Sequence, residues 1–455
     1  MKKYLIIGLA AVIAIAGTVG VIANYDSRPV LKVANWAEYI DGGDEDSELI
    51  KEFEDWYEAQ TGKKIRVEYC IADDNETLYN MIKMGDHFDL VCPSEYMIMK
   101  LAAENRLQKL PESFYDTSVA TNYYAKHVSP YIDETFSTNY IEGESWKEYA
   151  AGYMWGTTGF VYNPELVKAE NVNTWNVFTN VDYAKKITAK NNIRDTYFAG
   201  LAMYYENDLK ALKAEYESGE LMLSDYKARL SELMNDTSSE TMNAVKKLLK
   251  SMTNNLYGFE TDEGKNDTIA GKITVNYQWS GDAVYIMDYA QGDDEENPVE
   301  NPLYLNYAIP ETVTNLWFDG WVLPKDCKDV EAATMFINFL SRPDNAVRNM
   351  EYIGYTSCIS GTSDETDEYH GYIYENYVQE YYEAEDGETD VTDYDLSYFF
   401  GDGYVLTAPT EQLTRQLFAQ YPDEQTLAHC VAMQYFDRDA NTRANLMWSD
   451  ITFYG

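Results

Sequence analysis

Val30-Leu31-Lys32-Val33-Ala34-Asn35-Trp36-Ala37-Glu38-Tyr39 reads as a buried strand that ends on an aromatic ring beside a carboxylate. From there the chain alternates helix and strand. Residues 47–60 place Leu49, Ile50, Phe53, Trp56 and Tyr57 at helical spacing, closed by Gly62. Residues 65–69 alternate as a strand, Asn75 stands as the N-cap of a helix carrying Leu78, Met81 and Ile82, and residues 88–92 form a short apolar strand. Ser94, after Pro93, opens another helix that runs to about Asn105. Strand–helix–strand–helix–strand order predicts an α/β fold with a parallel sheet and helices on its faces. Ligands of such sheets bind beyond the carboxyl ends of the strands. Trp36, Glu38, Asn75 and Ser94 all fall at such ends and are expected to converge on one crevice.

A second aromatic–acid pair, Trp317-Phe318-Asp319, precedes another apolar run, Trp321-Val322-Leu323-Pro324. A ring face beside an anion suits an organic cation. The ring quadrupole contributes about 0.5–2 kcal/mol per contact, and the carboxylate supplies the charge that a desolvated ammonium needs. The competing reading makes Trp36 and Trp317 core residues. Residues 150–163 are extended and rich in Gly and aromatics, and suit a crossing between two lobes, as do residues 315–324. Residues 205–255 have helical spacing, residues 273–279 alternate and end at Trp279, and residues 331–340 form a helix ended by Arg342-Pro343. From about 361 to 403 Asp, Glu and Tyr dominate, and a largely helical, acidic surface elaboration is expected there.

With 455 residues, two lobes are the prior. The net charge is −42, from 77 acids against 35 bases. That balance speaks against nucleic acid or an anionic membrane as partner. It suits a cationic ligand, although solubility alone accounts for an acidic surface. Lys2 and Lys3 precede an apolar run from residue 4 to 23, which reads as an export signal or an uncleaved anchor over residues 1–24. The five cysteines are far apart, Cys70 and Cys92 read as buried thiols, and a disulfide pairing is not legible. No C-x-x-C occurs and the four His are scattered, so neither a metal site nor a cofactor is expected.

In order along the chain, Asn35-Trp36-Ala37-Glu38-Tyr39, Asn75-Glu76-Thr77, Asp89-Leu90-Val91 with Pro93-Ser94, Trp155-Gly156-Thr157-Thr158-Gly159, Trp279-Ser280-Gly281, Trp317-Phe318-Asp319, Arg342-Pro343-Asp344, Tyr352-Ile353-Gly354-Tyr355 and Tyr421-Pro422-Asp423 form a pattern that resembles the extracytoplasmic spermidine/putrescine-binding proteins of bacterial ABC importers. The resemblance implies a type II periplasmic-binding-protein fold: two α/β lobes, joined by crossing strands, closing on a linear polyamine. It implies a first lobe at 30–152 and 319–357 and a second at 153–318 and 358–455, with the elaboration at about 361–420. By position, Trp36 and Tyr39 would line the cleft and Glu38 would receive a terminal ammonium. Ser94 and Tyr96 would be first-lobe contacts. Trp279 and Trp317 would flank the methylene chain, Asp319 would pair an amine, Tyr355 would add an aromatic wall, and Asp195 would be the second-lobe acid. Asn192 stands where the family usually has an Asp, the family's cleft Gln maps to about Gln434, and Thr356-Ser357-Cys358 replaces Thr-Pro-Asn. The implied partners are a polyamine and a membrane permease, and the implied state is monomeric.

Two other classes stay open on the residues alone. Acids near Trp platforms also occur in glycoside-binding or glycoside-hydrolysing proteins, although no nucleophile elbow, phosphate loop or zinc-helix motif is present. A surface polyamine sensor is the third reading.

Overall fold

The computed structural model describes residues 26–43, 47–260, 263–292, 301–362 and 364–454; the expected export segment lies outside them. β1 (Val30–Asn35) pairs in parallel with β2 (Arg66–Ile71) on one side and β3 (Leu90–Val91) on the other. Between them, α1 (Glu48–Thr61) is capped by the Ser47 hydroxyl, which accepts from the Ile50 N–H, and stops at Gly62 with φ 71°. Leu49, Ile50, Phe53 and Tyr57 form its buried stripe. α2 (Asn75–Met84) is capped by Asp74 rather than by Asn75, which corrects the sequence reading by one residue. The aspartate accepts from the Thr77 N–H and leaves the Asn75 amide free for another use. α3 (Glu95–Ala103) follows β3.

β4 (Ala150–Tyr162) is buried along its whole length. β5 (Ile187–Lys190) leads into α4 (Ile193–Tyr204), and residues 205–255 continue as the expected helices α5 (Glu206–Glu217), α6 (Leu223–Met234) and α7 (Ser239–Thr253). β6 (Gly258–Glu260), β7 (Val275–Trp279), α8 (Ser280–Gln291) and β8 (Thr314–Pro324) come next. The main sheet runs β2-β1-β3-β8-β4-β7-β5-β6. β1 to β3 are mutually parallel, and so are β7, β5 and β6. Between these groups stand β8 and β4, antiparallel to each other and to their outer neighbours. β4 pairs with β8 through residues 150–157 and with β7 through residues 158–162, so it crosses from one group to the other. This is the type II periplasmic-binding-protein architecture.

Two large apolar clusters match the division. One joins Leu31, Phe53, Trp155, Trp321 and Phe336, the other Phe160, Trp175, Phe198, Leu249 and Tyr277. Residues 358–455, all expected in the second lobe, are shared between them. Tyr374, Tyr394, Phe399, Leu406 and Tyr421 pack into the first cluster, and only from Val431 onward does the chain join the second. Nor is the elaboration largely helical. A turn of π-helix at Tyr374–Gln379 leads to a hairpin of Val391–Asp395 and Val405–Pro409. Its alternating Tyr and apolar residues bury one face of that hairpin, whereas composition alone pointed to acidic helix. All five cysteines are free thiols, Cys92 buried and Cys70 half-buried. None of the described helices is long and apolar enough to cross a membrane.

Candidate ligand cleft between the lobes

Beyond the carboxyl ends of β1, β3, β5 and β7 lies a cleft of about 1060 Å³. Carboxyls outnumber basic side chains among its lining residues, the basic ones being Arg194 and Lys265. β8 presents Asn315, Trp317 and Asp319 to it, because residues two apart share one face of a strand. The β8–β4 register shifts between Asp319 and Gly320, an irregularity of the kind that re-aims side chains beside sites.

Asp319 is the centre of this arrangement. One carboxylate oxygen accepts from Tyr39 Oη at 2.8 Å, the other from Ser94 Oγ at 2.7 Å, and the Trp36 side chain adds a further hydrogen bond. Burial pushes this carboxyl up to about 6, against those three donors, which lower it. Ser94 precedes α3 but does not cap it with its side chain. Its hydroxyl is turned to Asp319 instead, held there by the Asn75 amide at 2.9 Å. Glu38 sits in the left-handed region at φ 54°, a conformation uncommon for Glu. The turn leaves Ala37 and Glu38 exposed and swings Tyr39 back into the core.

The aromatic wall is built by exclusion of side chains. A Cβ at Gly156 would overlap the Trp317 indole, and one at Gly281 would fall inside the Tyr355 ring. The Tyr355 ring lies 5.3 Å from Trp317 and 5.7 Å, edge-on, from Tyr39. Behind Tyr355, Thr356 and Ser357 pair with Trp155 and Met154 of β4, and Cys358 packs against Gly152, so the departure from Thr-Pro-Asn is absorbed in the core.

On the opposite wall Asn192 caps α4. Its carbonyl accepts the Asp195 N–H at 2.8 Å and its amide donates to the Asp195 carboxylate. Burial raises the Asp195 carboxyl; Asn192, Lys190 and a hydrogen bond involving Trp279 oppose the rise. The Arg194 guanidinium lies over the rings of Tyr96, 4.3 Å away, and Phe436, 3.7 Å away, and so joins α3 to α4 across the cleft. Burial lowers its pKa, while Tyr96, Glu76 and Glu95 favour the charge.

Trp36, Glu38, Tyr39, Ser94, Tyr96, Asn192, Asp195, Trp279, Trp317, Asp319 and Tyr355 thus all line one cleft. Gln434 does not. Its N–H donates to Asn235 and its carbonyl accepts from Arg194, which leaves its side chain exposed and puts Met433 at the wall. Sequence reading missed Glu95, whose carboxyl accepts the Phe318 N–H at 3.1 Å. Burial pushes Glu95 up to about 8; the Phe318 N–H opposes this, and the Asp319 charge adds to it. It also missed Arg194, although an Arg directly preceding the candidate acid Asp195 was a visible cue. Among the described residues no group of three or more His, Cys, Asp or Glu could hold a metal ion.

The geometry can hold an elongated cation, with rings for its apolar part and acids for its charges. Comparison with known proteins agrees with a binding role. The chain is 26% identical over 336 residues to the spermidine/putrescine-binding periplasmic protein of Escherichia coli, covering 73% of this chain and 78% of that one. It is 27% identical over 339 residues to the putrescine-binding periplasmic protein SpuD of Pseudomonas aeruginosa, covering 73% and 79%. A Listeria monocytogenes structure named for a spermidine/putrescine ABC transporter superposes with a TM-score of 0.62 at 24% identity, over 94% of this chain and 99% of that one, a likeness of fold. Residues 48–373 match the model of a family described as bacterial extracellular solute-binding protein, a binding family and not an enzyme family. That match spans well over half of the chain, and this protein belongs to the bacterial extracellular solute-binding protein family.

Proposed function

We propose that this protein captures a linear polyamine, putrescine or spermidine, by closure of its lobes and delivers it to the permease of an ABC importer. The observation that carries the reading is Asp319, a buried carboxylate oriented by Tyr39, Ser94 and Trp36 and flanked by the Trp317 and Tyr355 rings. An ammonium seated there meets a pre-oriented anion, and the neighbouring rings accept the methylenes. Glu38 at the rim and Asp195 on the far wall are the further acids for the remaining amine groups. The names of the similar E. coli and P. aeruginosa proteins support the same ligand class. Without ligand the cleft acids repel one another and favour an open form; a polycation relieves that repulsion and favours closure. The reading includes an extracytoplasmic location, export or anchoring through residues 1–24, and action as a monomer.

The test is a melting experiment with putrescine, cadaverine, spermidine and spermine beside a panel of sugars and amino acids. A ligand of the native state at a hundredfold excess over its dissociation constant contributes about 2.7 kcal/mol, which for a chain of this size moves the midpoint by about 3 °C. A shift with polyamines alone is expected. A shift with a sugar or an amino acid and none with any polyamine would contradict the reading.

A further inference from the structure

Lys190 ends β5 and is fully buried. Its ammonium lies 3.3 Å from the centroid of the Trp279 ring, donates to Gln278 Oε1 and stands 4.0 Å from the Asp282 carboxylate. Its charge also favours the ionised form of Asp195. Trp279, Asp195 and Asp282 line the cleft, whereas Lys190 does not. The cation therefore occupies one face of the indole without reaching the cleft itself, and leaves the cleft the remainder of the ring. Burying an ammonium is costly unless it is paired. Here its partners include the acids that face the cleft.

We propose that Lys190 is a specificity-determining positioning residue, a tethered cation against Trp279 that reduces by one the number of ligand ammonium groups this wall accepts. The inference rests on the polyamine reading. Asp195 and Asp282 present two carboxylates, but one positive charge is already supplied from within, and Lys265, 3.4 Å from Asp282, adds a second from the cleft side. Methylenes in front of Trp279 are indifferent to Lys190. An ammonium seated on the ring face that Lys190 leaves free would stand about 7 Å from it, where like charges at an effective dielectric constant of about 20 shift an affinity by on the order of tenfold or more. A diamine avoids that position by placing methylenes over the indole. A triamine spread along the same cleft has one more charge to place and less room to avoid it. Asn192, neutral and committed to Asp195, acts in the same direction.

The test titrates the full chain calorimetrically with putrescine and spermidine at one ionic strength, comparing wild type with Lys190→Met, Lys190→Gln and Lys190→Arg. The expected result is a rise of about tenfold in the spermidine-to-putrescine affinity ratio in both neutral variants, with the Arg variant at the wild-type ratio. A lysine serving only the fold would weaken both ligands together. An unchanged ratio in either neutral variant that melts cooperatively therefore overturns the proposal. Loss of folding in both neutral variants with a folded Arg variant would also overturn it, by assigning the charge to stability. Wild type that binds polyamines with an unmoved ratio in the variants sinks this inference alone; wild type that binds neither ligand sinks the polyamine reading with it.

Discussion

At the scale of the residue, Asp319 carries two opposed demands. Burial raises its carboxyl from the ordinary 3.8 to about 6, and the donors of Tyr39, Ser94 and Trp36 hold it ready to ionise. Because the folded value exceeds the unfolded one, the ligand-free fold binds the extra proton between those values. Its stability therefore falls as pH rises from about 4 through about 6, by about 3 kcal/mol for a shift of two units. A cationic ligand has the opposite preference and binds the ionised form. Polyamine affinity is accordingly expected to weaken as pH drops through about 6, with proton release on binding in that window. Titration in buffers of different ionisation enthalpy measures this, and pH-independent affinity from 5 to 7 would contradict it. Asp319→Asn keeps the shape: of the Tyr39 and Ser94 hydroxyls, the one that faces the new NH2 turns to accept from it and the other goes on donating to the remaining oxygen. The variant should fold with a flatter stability–pH profile and lose about 2–5 kcal/mol of polyamine binding. Wild-type affinity in this variant would remove Asp319 from the site. Trp36, Glu38, Trp317 and Asp319 were legible in the sequence because each ring stands two residues from its acid beside an apolar run, Trp36 and Glu38 just past the end of β1 and Trp317 and Asp319 within β8. Glu95 and Lys190 were not, since only tertiary contacts bring an ordinary helix Glu to the cleft wall and set an ordinary strand Lys against the Trp279 ring.

At the scale of the element, the cleft depends on glycines and caps that bear no chemistry themselves. Gly281 lies in the first turn of α8, where only a missing Cβ admits the Tyr355 ring. Gly281→Ala is expected to displace that ring and reduce polyamine affinity at least tenfold, with a fold cost of about 1–3 kcal/mol from overpacking. An unaltered affinity would mean that Tyr355 is not a wall of the site. Asn192→Asp keeps an N-cap acceptor but removes the amide donated to Asp195 and sets two carboxylates side by side. The ligand-free protein should melt lower, and spermidine binding should improve more than putrescine binding, because the added anion offsets desolvation of an extra amine. Equal changes for the two ligands would show that position 192 does not read ligand charge. The strand–helix alternation of residues 30–105 was legible from periodicity, and the strands β4 and β8 were legible as extended segments, β4 from its Gly- and aromatic-rich composition. The elaboration was not. Acidic, Tyr-rich composition hides its alternation, and its role becomes visible only in contacts: Gln420 donates to the Gly354 carbonyl and to Tyr377, which ties the added segment to the stretch bearing Tyr355.

At the scale of the whole molecule, two parallel strand groups flank the antiparallel pair β4 and β8, and Arg194 on one side rests on Tyr96 of the other. The lobes thus touch at a cation–ring contact as well as through the crossing strands. That contact gives the proposed closure a fixed element, while the acidic cleft supplies the repulsion a polycation would remove. Calorimetric titration of the full chain with putrescine, cadaverine, spermidine and spermine at pH 7 is the most direct test of the central claim. Saturable one-to-one binding of at least one polyamine, abolished or reduced at least thirtyfold by Asp319→Asn, is the expected result. No heat of binding with any of the four, or binding that Asp319→Asn leaves intact, would contradict it.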